Sequence, residues 1–182
     1  LMHRHYSLVN RSKPGWQRGS LSPVSNKFFQ TPMQVTEIRQ VAEELVQLLG
    51  HTDWAIGGSF LLQCYGIEPQ ARDLDLVCTL EHFERFKALL SQYAQAVPVT
   101  PHPSYCSLGF ARFEKNGLMI ELMAGIQVLT NNRLQQFQFL PERISWQQGL
   151  PLMALTDWQV LYQLFDRPQR VAQLQQYLHS TH

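Results

Sequence analysis

Apolar residues recur every three to four positions after Thr31, which is the spacing of one face of an α-helix. The apolar members of this pattern are Ile38, Val41, Ala42, Leu45, Leu48 and Leu49. Thr31, Pro32 and Gln34 resemble a helix start with a capping box, and Gly50 is a typical helix end. The pattern therefore predicts a helix that begins near Thr31 and ends before Gly50.

Shorter apolar runs farther along the chain predict strands interleaved with helices. We expect strands at residues 54–56, 74–78, 107–113, 118–123 and 127–129, and helices at residues 60–65, 81–93, 156–165 and 168–178. Asn116-Gly117 predicts a tight turn between two of these strands. Between the last strand and a turn at Gln148-Gly149, the Gln-rich sequence predicts irregular structure. This order of elements indicates an α/β (α+β) domain with a short C-terminal helical tail.

The charge of the N-terminal segment differs from that of the rest of the chain. Residues 1–30 carry five basic and no acidic side chains, whereas the remaining 152 residues carry 10 basic and 14 acidic ones. The globular part is therefore mildly acidic, which is not the charge of a nucleic-acid-binding domain. We interpret residues 1–30 as a disordered basic leader. An organelle transit peptide, or an arm that contacts nucleic-acid phosphates, stays open as an alternative.

Several classes of protein are excluded by what the sequence lacks. No apolar run approaches the ~18 residues of a membrane-spanning helix. The three cysteines, Cys64, Cys78 and Cys106, form no CxxC pair, which argues against a zinc ribbon and a disulfide scaffold. We therefore expect a cytoplasmic protein without a membrane partner. Its expected organisation is a leader over 1–30, a core over 31–150 and a helical segment over 151–182 that packs on the core.

The candidate chemistry lies between Gly57 and Asp75. Gly57-Gly58-Ser59 follows the strand at 54–56, and Asp73-Leu74-Asp75 opens the strand after it. Because alternate residues of a strand share a face, Asp73 and Asp75 are expected to project together. Two adjacent carboxylates repel each other, and a divalent cation such as Mg²⁺ or Mn²⁺ relieves that repulsion. The glycines allow a sharp turn, and the Ser59 hydroxyl with nearby N–H groups suits a phosphate oxygen.

A third acid, Glu121, stands within the apolar strand at 118–123. A carboxylate in such a strand is costly to bury without a partner. If this strand lies beside the one that carries Asp73 and Asp75, three carboxylates converge and can hold two metal ions. A salt bridge from Arg112 to Glu121 across the hairpin is the alternative.

The other signals also have plainer interpretations. Gly57-Gly58-Ser59 alone is typical of an ordinary turn from strand to helix, and the two aspartates could be solvated residues of an edge strand. Arg72 either steers phosphate or only flanks the strand. Trp158 is expected in the core or in the wall of a cleft.

These motifs together resemble the nucleotidyltransferase superfamily, which has the polymerase-beta-like fold. The matching features are Gly57-Gly58-Ser59, the run Arg72-Asp73-Leu74-Asp75-Leu76, and a later lone acid on a strand. The most similar members are small bacterial ones, such as antibiotic and toxin-type nucleotidyltransferases, and the resemblance covers about residues 37–178. In that family the third acid is usually Asp. Tyr162 or Gln163 stands where a tail lysine is often found, and Gln169 and Arg170 stand where an acid is often found.

The resemblance implies a mixed β-sheet flanked by helices and a metal-dependent enzyme. It would move a nucleoside monophosphate, AMP from ATP, to a hydroxyl of an unidentified acceptor. Asp73, Asp75 and Glu121 would be the catalytic and metal-binding residues, with Mg²⁺ or Mn²⁺. Gly57, Gly58, Ser59 and Arg72 would bind the nucleoside triphosphate. A non-catalytic nucleotide- or partner-binding protein on the same fold is the alternative.

Overall fold

The structure, a computed structural model, describes residues 35–181 and the side chains of residues 37–181. The helices of this part are α1 (Val35–Leu49), α2 (Gly58–Cys64), α3 (Phe83–Tyr93), α4 (Leu155–Leu164) and α5 (Pro168–Ser180). The strands are β1 (Trp54–Gly57), β2 (Asp73–Cys78), β3 (Gln95–Val97), β4 (Gly109–Lys115), β5 (Leu118–Ala124), β6 (Gln127–Thr130), β7 (Arg133–Gln136), β8 (Ser145–Gln147) and β9 (Leu150–Leu152). The predicted leader over 1–30 and the capping box at Thr31–Gln34 lie outside the described residues.

A mixed sheet of seven strands is the centre of the fold and confirms the predicted class. Its order is β3-β4-β5-β2-β1-β9-β8, and β6 and β7 form a separate two-stranded sheet. Strand β2 runs parallel to β5 and antiparallel to β1. A parallel pair needs a crossover connection, and the chain from β2 to β5 supplies it through α3. Strands from distant parts of the sequence therefore meet in the middle of the sheet.

The apolar periodicity of the sequence becomes the core. On α1, Ile38, Ala42 and Leu45 are buried, as their helical spacing predicts. On β2, Leu74 and Leu76 are fully buried, whereas the intervening aspartates keep partial exposure. Alternation along β2 thus places the apolar side chains in the core and the acids on the opposite face.

The hairpin of β4 and β5 follows its predicted turn. Asn116 and Gly117 have φ values of 50° and 83°, the left-handed conformation that a tight two-residue turn requires. The register of the hairpin pairs Lys115 with Leu118 next to that turn.

The region predicted as irregular is partly ordered into strands. Strands β7 and β8 lie within that region, and neither β9, which follows the predicted turn at Gln148-Gly149, nor β3 was predicted. Each is three or four residues long, and β9 contains Pro151, so none carries a period-2 signal. Strand β9 is ordered by tertiary pairing, since Leu152 lies beside Ile56 of β1.

The C-terminal helices pack on the part of the chain that follows α2. The Arg170 guanidinium forms an ion pair with Glu68 and also donates to Gln173 Oε1 at 3.0 Å. The Gln173 amide donates to the Ile67 carbonyl at 3.2 Å. None of the helices in residues 35–181 has both the length and the apolar character needed to cross a membrane.

Candidate functional site

The two aspartates predicted from the sequence lie in the middle of the sheet. Strand β2, which carries Asp73 and Asp75, is hydrogen-bonded to β5 on one side and β1 on the other. The alternative that they are solvated residues of an edge strand is therefore wrong. Both lie near the beginning of β2, on the side where the chain leaves β1 and turns into α2.

Glu121 lies directly beside Asp75, because the parallel register of β2 and β5 pairs these two residues. On the other side of β5, Arg112 of β4 is the register partner of Glu121. Arg112 Nε donates to Glu121 Oε1 at 2.8 Å, and Arg112 Nη2 lies 2.6 Å from the same oxygen. The structure thus brings the three acids together and also forms the salt bridge that the sequence left open.

Gly58 is the contact point between the glycine turn and Asp75. Its φ of +62° is in the left-handed region, and a Cβ atom built on it would lie only 1.8 Å from Asp75 Oδ2. Any side chain at residue 58 would therefore displace the carboxylate. Glycine is required here because the backbone of the turn lies directly against a predicted ligand oxygen.

Gly57 has a different neighbour. A Cβ atom there would lie 2.4 Å from Cζ3 of Trp158, so the indole of α4 packs against the backbone of β1. The sequence predicted that both glycines allow a sharp turn, and the resemblance implied that both bind the nucleoside triphosphate. At Gly57 the structure shows that the closely packed group is Trp158, which anchors the tail helix beside the site.

Ser59 holds the other aspartate. Its hydroxyl donates to Asp73 Oδ1 at 3.1 Å and accepts from the Arg72 backbone N–H at 3.4 Å. These contacts connect the first turn of α2 to the start of β2 and fix the Asp73 carboxyl. Arg72 is exposed, so its side chain projects to the surface next to the acids.

The acids are crowded, and this changes the protonation of Asp75. Burial raises the pKa of Asp75 well above its ordinary value, and the charges of Asp73 and Glu121 raise it further. A hydrogen bond between Asp75 and Glu121 adds to the increase. Without a cation at the site, Asp75 therefore keeps its proton to a higher pH than an isolated aspartate does.

Sequence reasoning missed the part of the site that α4 contributes. Burial raises the pKa of Tyr162, and the charges of Asp75 and Asp73 add to this, while Trp158 and Arg170 oppose it. Tyr162 therefore lies within electrostatic reach of both aspartates. Its ring meets that of Trp158 edge to face at 5.6 Å. The sequence offered one indication that this position belongs to the site: Tyr162 or Gln163 stands where the nucleotidyltransferase superfamily often has a lysine.

The Trp158 indole N–H is fully buried and makes no regular hydrogen bond within the described residues. It lies close enough to the Tyr162 hydroxyl to lower that group's pKa, but without the geometry of a proper bond. These two aromatic side chains of α4 thus lie close to the glycine turn and to the acids.

The donor set suits one hard divalent cation. Asp73 and Asp75 offer carboxylate oxygens, which Mg²⁺ and Mn²⁺ prefer. Among residues 37–181, no three His, Cys, Asp or Glu side chains are arranged to hold a metal ion together. Because Mg²⁺ usually takes one or two carboxylates and completes its shell with water and substrate phosphates, the two aspartates fit such an ion.

This chain is similar to known proteins in its structure. No family model and no curated protein matches the sequence. A proposed nucleotidyltransferase from Thermotoga maritima superposes with a TM-score of 0.62 over 84% of this chain and 99% of its own, at 18% identity. The chain has the nucleotidyltransferase fold.

A second solved structure with this nucleotidyltransferase fold is the antibiotic-resistance factor ANT(2'')-Ia. It superposes with a TM-score of 0.53 at 9% identity, covering 80% of this chain and 86% of that protein. At such identities the likeness concerns the fold, so the chemistry has to be argued from the residues of the site itself.

Proposed function

We propose that the protein is a metal-dependent nucleotidyltransferase that transfers a nucleoside monophosphate, AMP from ATP, to a hydroxyl group of an acceptor. The observation that carries this proposal is the position of Asp73 and Asp75 on a central strand, with Asp75 against the backbone of Gly58 and beside Glu121. The fold it shares with a proposed nucleotidyltransferase from Thermotoga maritima supports it.

In this proposal Asp73 and Asp75 are the principal metal ligands and Glu121 is the third acid. A divalent cation bound there would stabilise negative charge on the triphosphate and assist ionisation of the acceptor hydroxyl. Ser59 holds Asp73 in place through its hydroxyl. The turn at Gly57 and Gly58, together with Ser59 and the exposed Arg72, would contact the triphosphate.

The reaction forms one bond and breaks one. The acceptor oxygen attacks the α-phosphorus, the bond from that phosphorus to the bridging oxygen breaks, and pyrophosphate leaves. The hydroxyl proton must be accepted, and Glu121 is the acid that we propose for this step if it does not ligate the metal. Asp75 has to be deprotonated to ligate the cation, so binding of the metal would displace the proton that crowding favours.

A transfer assay with two labels tests the proposal. Protein, Mg²⁺ and a fractionated cell extract are incubated with ATP labelled at either the α- or the γ-phosphate. We expect the α-label in a new product and the γ-label in pyrophosphate. Asp75→Asn should abolish transfer, whereas Glu84→Gln, an exposed acid of α3, should not change it. The γ-label in the product would show phosphoryl transfer and contradict the proposal.

One observation favours a second candidate, a non-catalytic nucleotide-binding protein. Glu121 is already held by Arg112, so the third acid is not freely available for catalysis. Such a protein would bind ATP with Mg²⁺ but would yield no α-labelled product with any extract fraction. The acceptor itself is open. An antibiotic is one candidate, since a protein of the same fold is an antibiotic-resistance factor.

A further inference from the structure

A row of charged residues crosses three strands of the sheet beside the candidate site. Arg112 of β4 is the register partner of Glu121 of β5, and Glu121 is the partner of Asp75 of β2. Residues directly opposite each other on neighbouring strands project from the same face. One guanidinium and two carboxylates are therefore side by side, with the guanidinium at the outer end.

Arg112 compensates the charge of Glu121 directly. Two of its nitrogens, Nε and Nη2, contact the same Oε1 atom at 2.8 and 2.6 Å. About a fifth of the Glu121 side chain and a third of the Arg112 side chain are exposed. A guanidinium stays charged at every accessible pH, so this counter-charge is permanent. Both contacts use Oε1.

The two aspartates have no comparable partner. Asp73 accepts from the neutral hydroxyl of Ser59. No ion pair in the described part of the chain involves Asp73 or Asp75. The acids of the site that lack an ionic partner in the described part of the chain are thus both on β2. One divalent cation there, together with the guanidinium of Arg112, would balance the three carboxylates.

We propose that Arg112 serves as a built-in cation at the third acid, so that the site takes one divalent metal ion, on Asp73 and Asp75, rather than two. This inference rests on the proposed function and narrows it. Arg112 is then a positioning residue: it fixes Glu121 and prevents this acid from recruiting a second metal. A bound nucleotide could still bring a metal ion of its own on its phosphates, which is a separate matter from the sites that the protein provides.

The number of metal ions bound without nucleotide tests the proposal. Mn²⁺ is titrated into the full chain, and free Mn²⁺ is measured by its electron paramagnetic resonance signal. We expect one Mn²⁺ per wild-type chain. Arg112→Gln should gain a second Mn²⁺ site, because Glu121 loses its counter-charge. Arg112→Lys, which keeps a cation, should stay at one, and Arg112→Gln combined with Glu121→Gln should return to one.

A further variant keeps the test decisive if Arg112→Gln does not fold, which thermal unfolding would reveal. Glu121→Gln alone should still bind one Mn²⁺, and less tightly by about tenfold, because the freed guanidinium then lies beside Asp75. If all three acids shared two metal ions, the wild type would bind two Mn²⁺ and Glu121→Gln would bind only one.

The outcomes separate this inference from the proposed function. Two Mn²⁺ on the wild-type chain, or one on a folded Arg112→Gln, would overturn the role of Arg112 and leave the proposed function standing. No Mn²⁺ on the wild type or on any variant would overturn the inference, and the transfer assay with labelled ATP decides the proposed function separately.

Discussion

The close approach of Gly58 to Asp75 gives a prediction that separates backbone strain from loss of the site. Alanine at residue 58 would adopt a φ of +62° and place its Cβ 1.8 Å from Asp75 Oδ2. The left-handed backbone alone costs about 1–2 kcal/mol for a residue with a Cβ. For a chain of this size that corresponds to a fall in Tm of roughly 2–8 °C.

The steric part of the effect acts on the carboxylate. An ordinary contact needs about 3.4 Å or more, so Asp75 has to move by roughly 1.6 Å or rotate away. Metal ligands have to lie within about 0.2 Å of their ideal distances. We therefore expect Gly58→Ala to remain folded but to lose at least about 100-fold in Mn²⁺ affinity, the upper end of what displaced supporting groups cost.

A matched control comes from Gly66, which has a φ of +71° and nothing within 4 Å of its Cβ position. Gly66→Ala should show a similar backbone cost and keep wild-type Mn²⁺ affinity. Thermal unfolding and Mn²⁺ titration of both variants provide the two readouts. If Gly58→Ala is folded and binds Mn²⁺ as tightly as Gly66→Ala, Asp75 is not a metal ligand held against this turn.

Four further predictions follow from the crowded acids and from the packing of α4. Asp75→Asn should raise the Tm of the metal-free protein at pH 8 by a few degrees, since about 1 kcal/mol corresponds to roughly 2–4 °C. The same substitution should abolish the Tm increase on adding Mn²⁺. A lower Tm of metal-free Asp75→Asn would contradict the crowding of the acids. The pKa of Asp75 is raised in the folded protein, so unfolding of the protein releases a proton at any pH between the ordinary and the raised pKa. The free energy of unfolding should therefore fall as pH rises through that window. Denaturant titrations at several pH values should show this slope for the wild type and not for Asp75→Asn. For the same reason, Mn²⁺ affinity should increase with pH, by at most about tenfold per unit, until Asp75 is deprotonated, and a flat profile would count against it as a ligand. Gly57→Ala should lower stability by about 1–3 kcal/mol in denaturant titrations, because its Cβ would overlap the Trp158 indole; an unchanged midpoint would show that the indole can move freely.

The sequence predicted the local features of this site well because those features depend on local rules. Alternation on a strand is enough to place Asp73 and Asp75 on one face and the intervening Leu74 in the core. The isolated acid at residue 121 was recognisable because it interrupts an apolar strand. Its position beside Asp75 depends on which strands become neighbours, and the resemblance to a known family supplied that information.

The contacts between distant segments could not be predicted in this way. Trp158 packs against Gly57 from about a hundred residues farther along the chain, and only the tertiary fold brings them together. Strand β9 has no pattern of its own and is ordered by pairing with β1. Whether Glu121 pairs with Arg112 or binds a metal ion likewise depends on the register of β4 and β5, which places the guanidinium opposite the acid.

In the proposed function, Asp73 and Asp75 hold a divalent cation through which a nucleoside triphosphate binds. Calorimetric titration of the full chain with α,β-methylene-ATP, in Mg²⁺ and then in EDTA, tests it most directly. We expect binding in Mg²⁺ and none in EDTA for the wild type, and none in either condition for Asp75→Asn. Equal affinity in Mg²⁺ and in EDTA, or unchanged binding by Asp75→Asn, would contradict it.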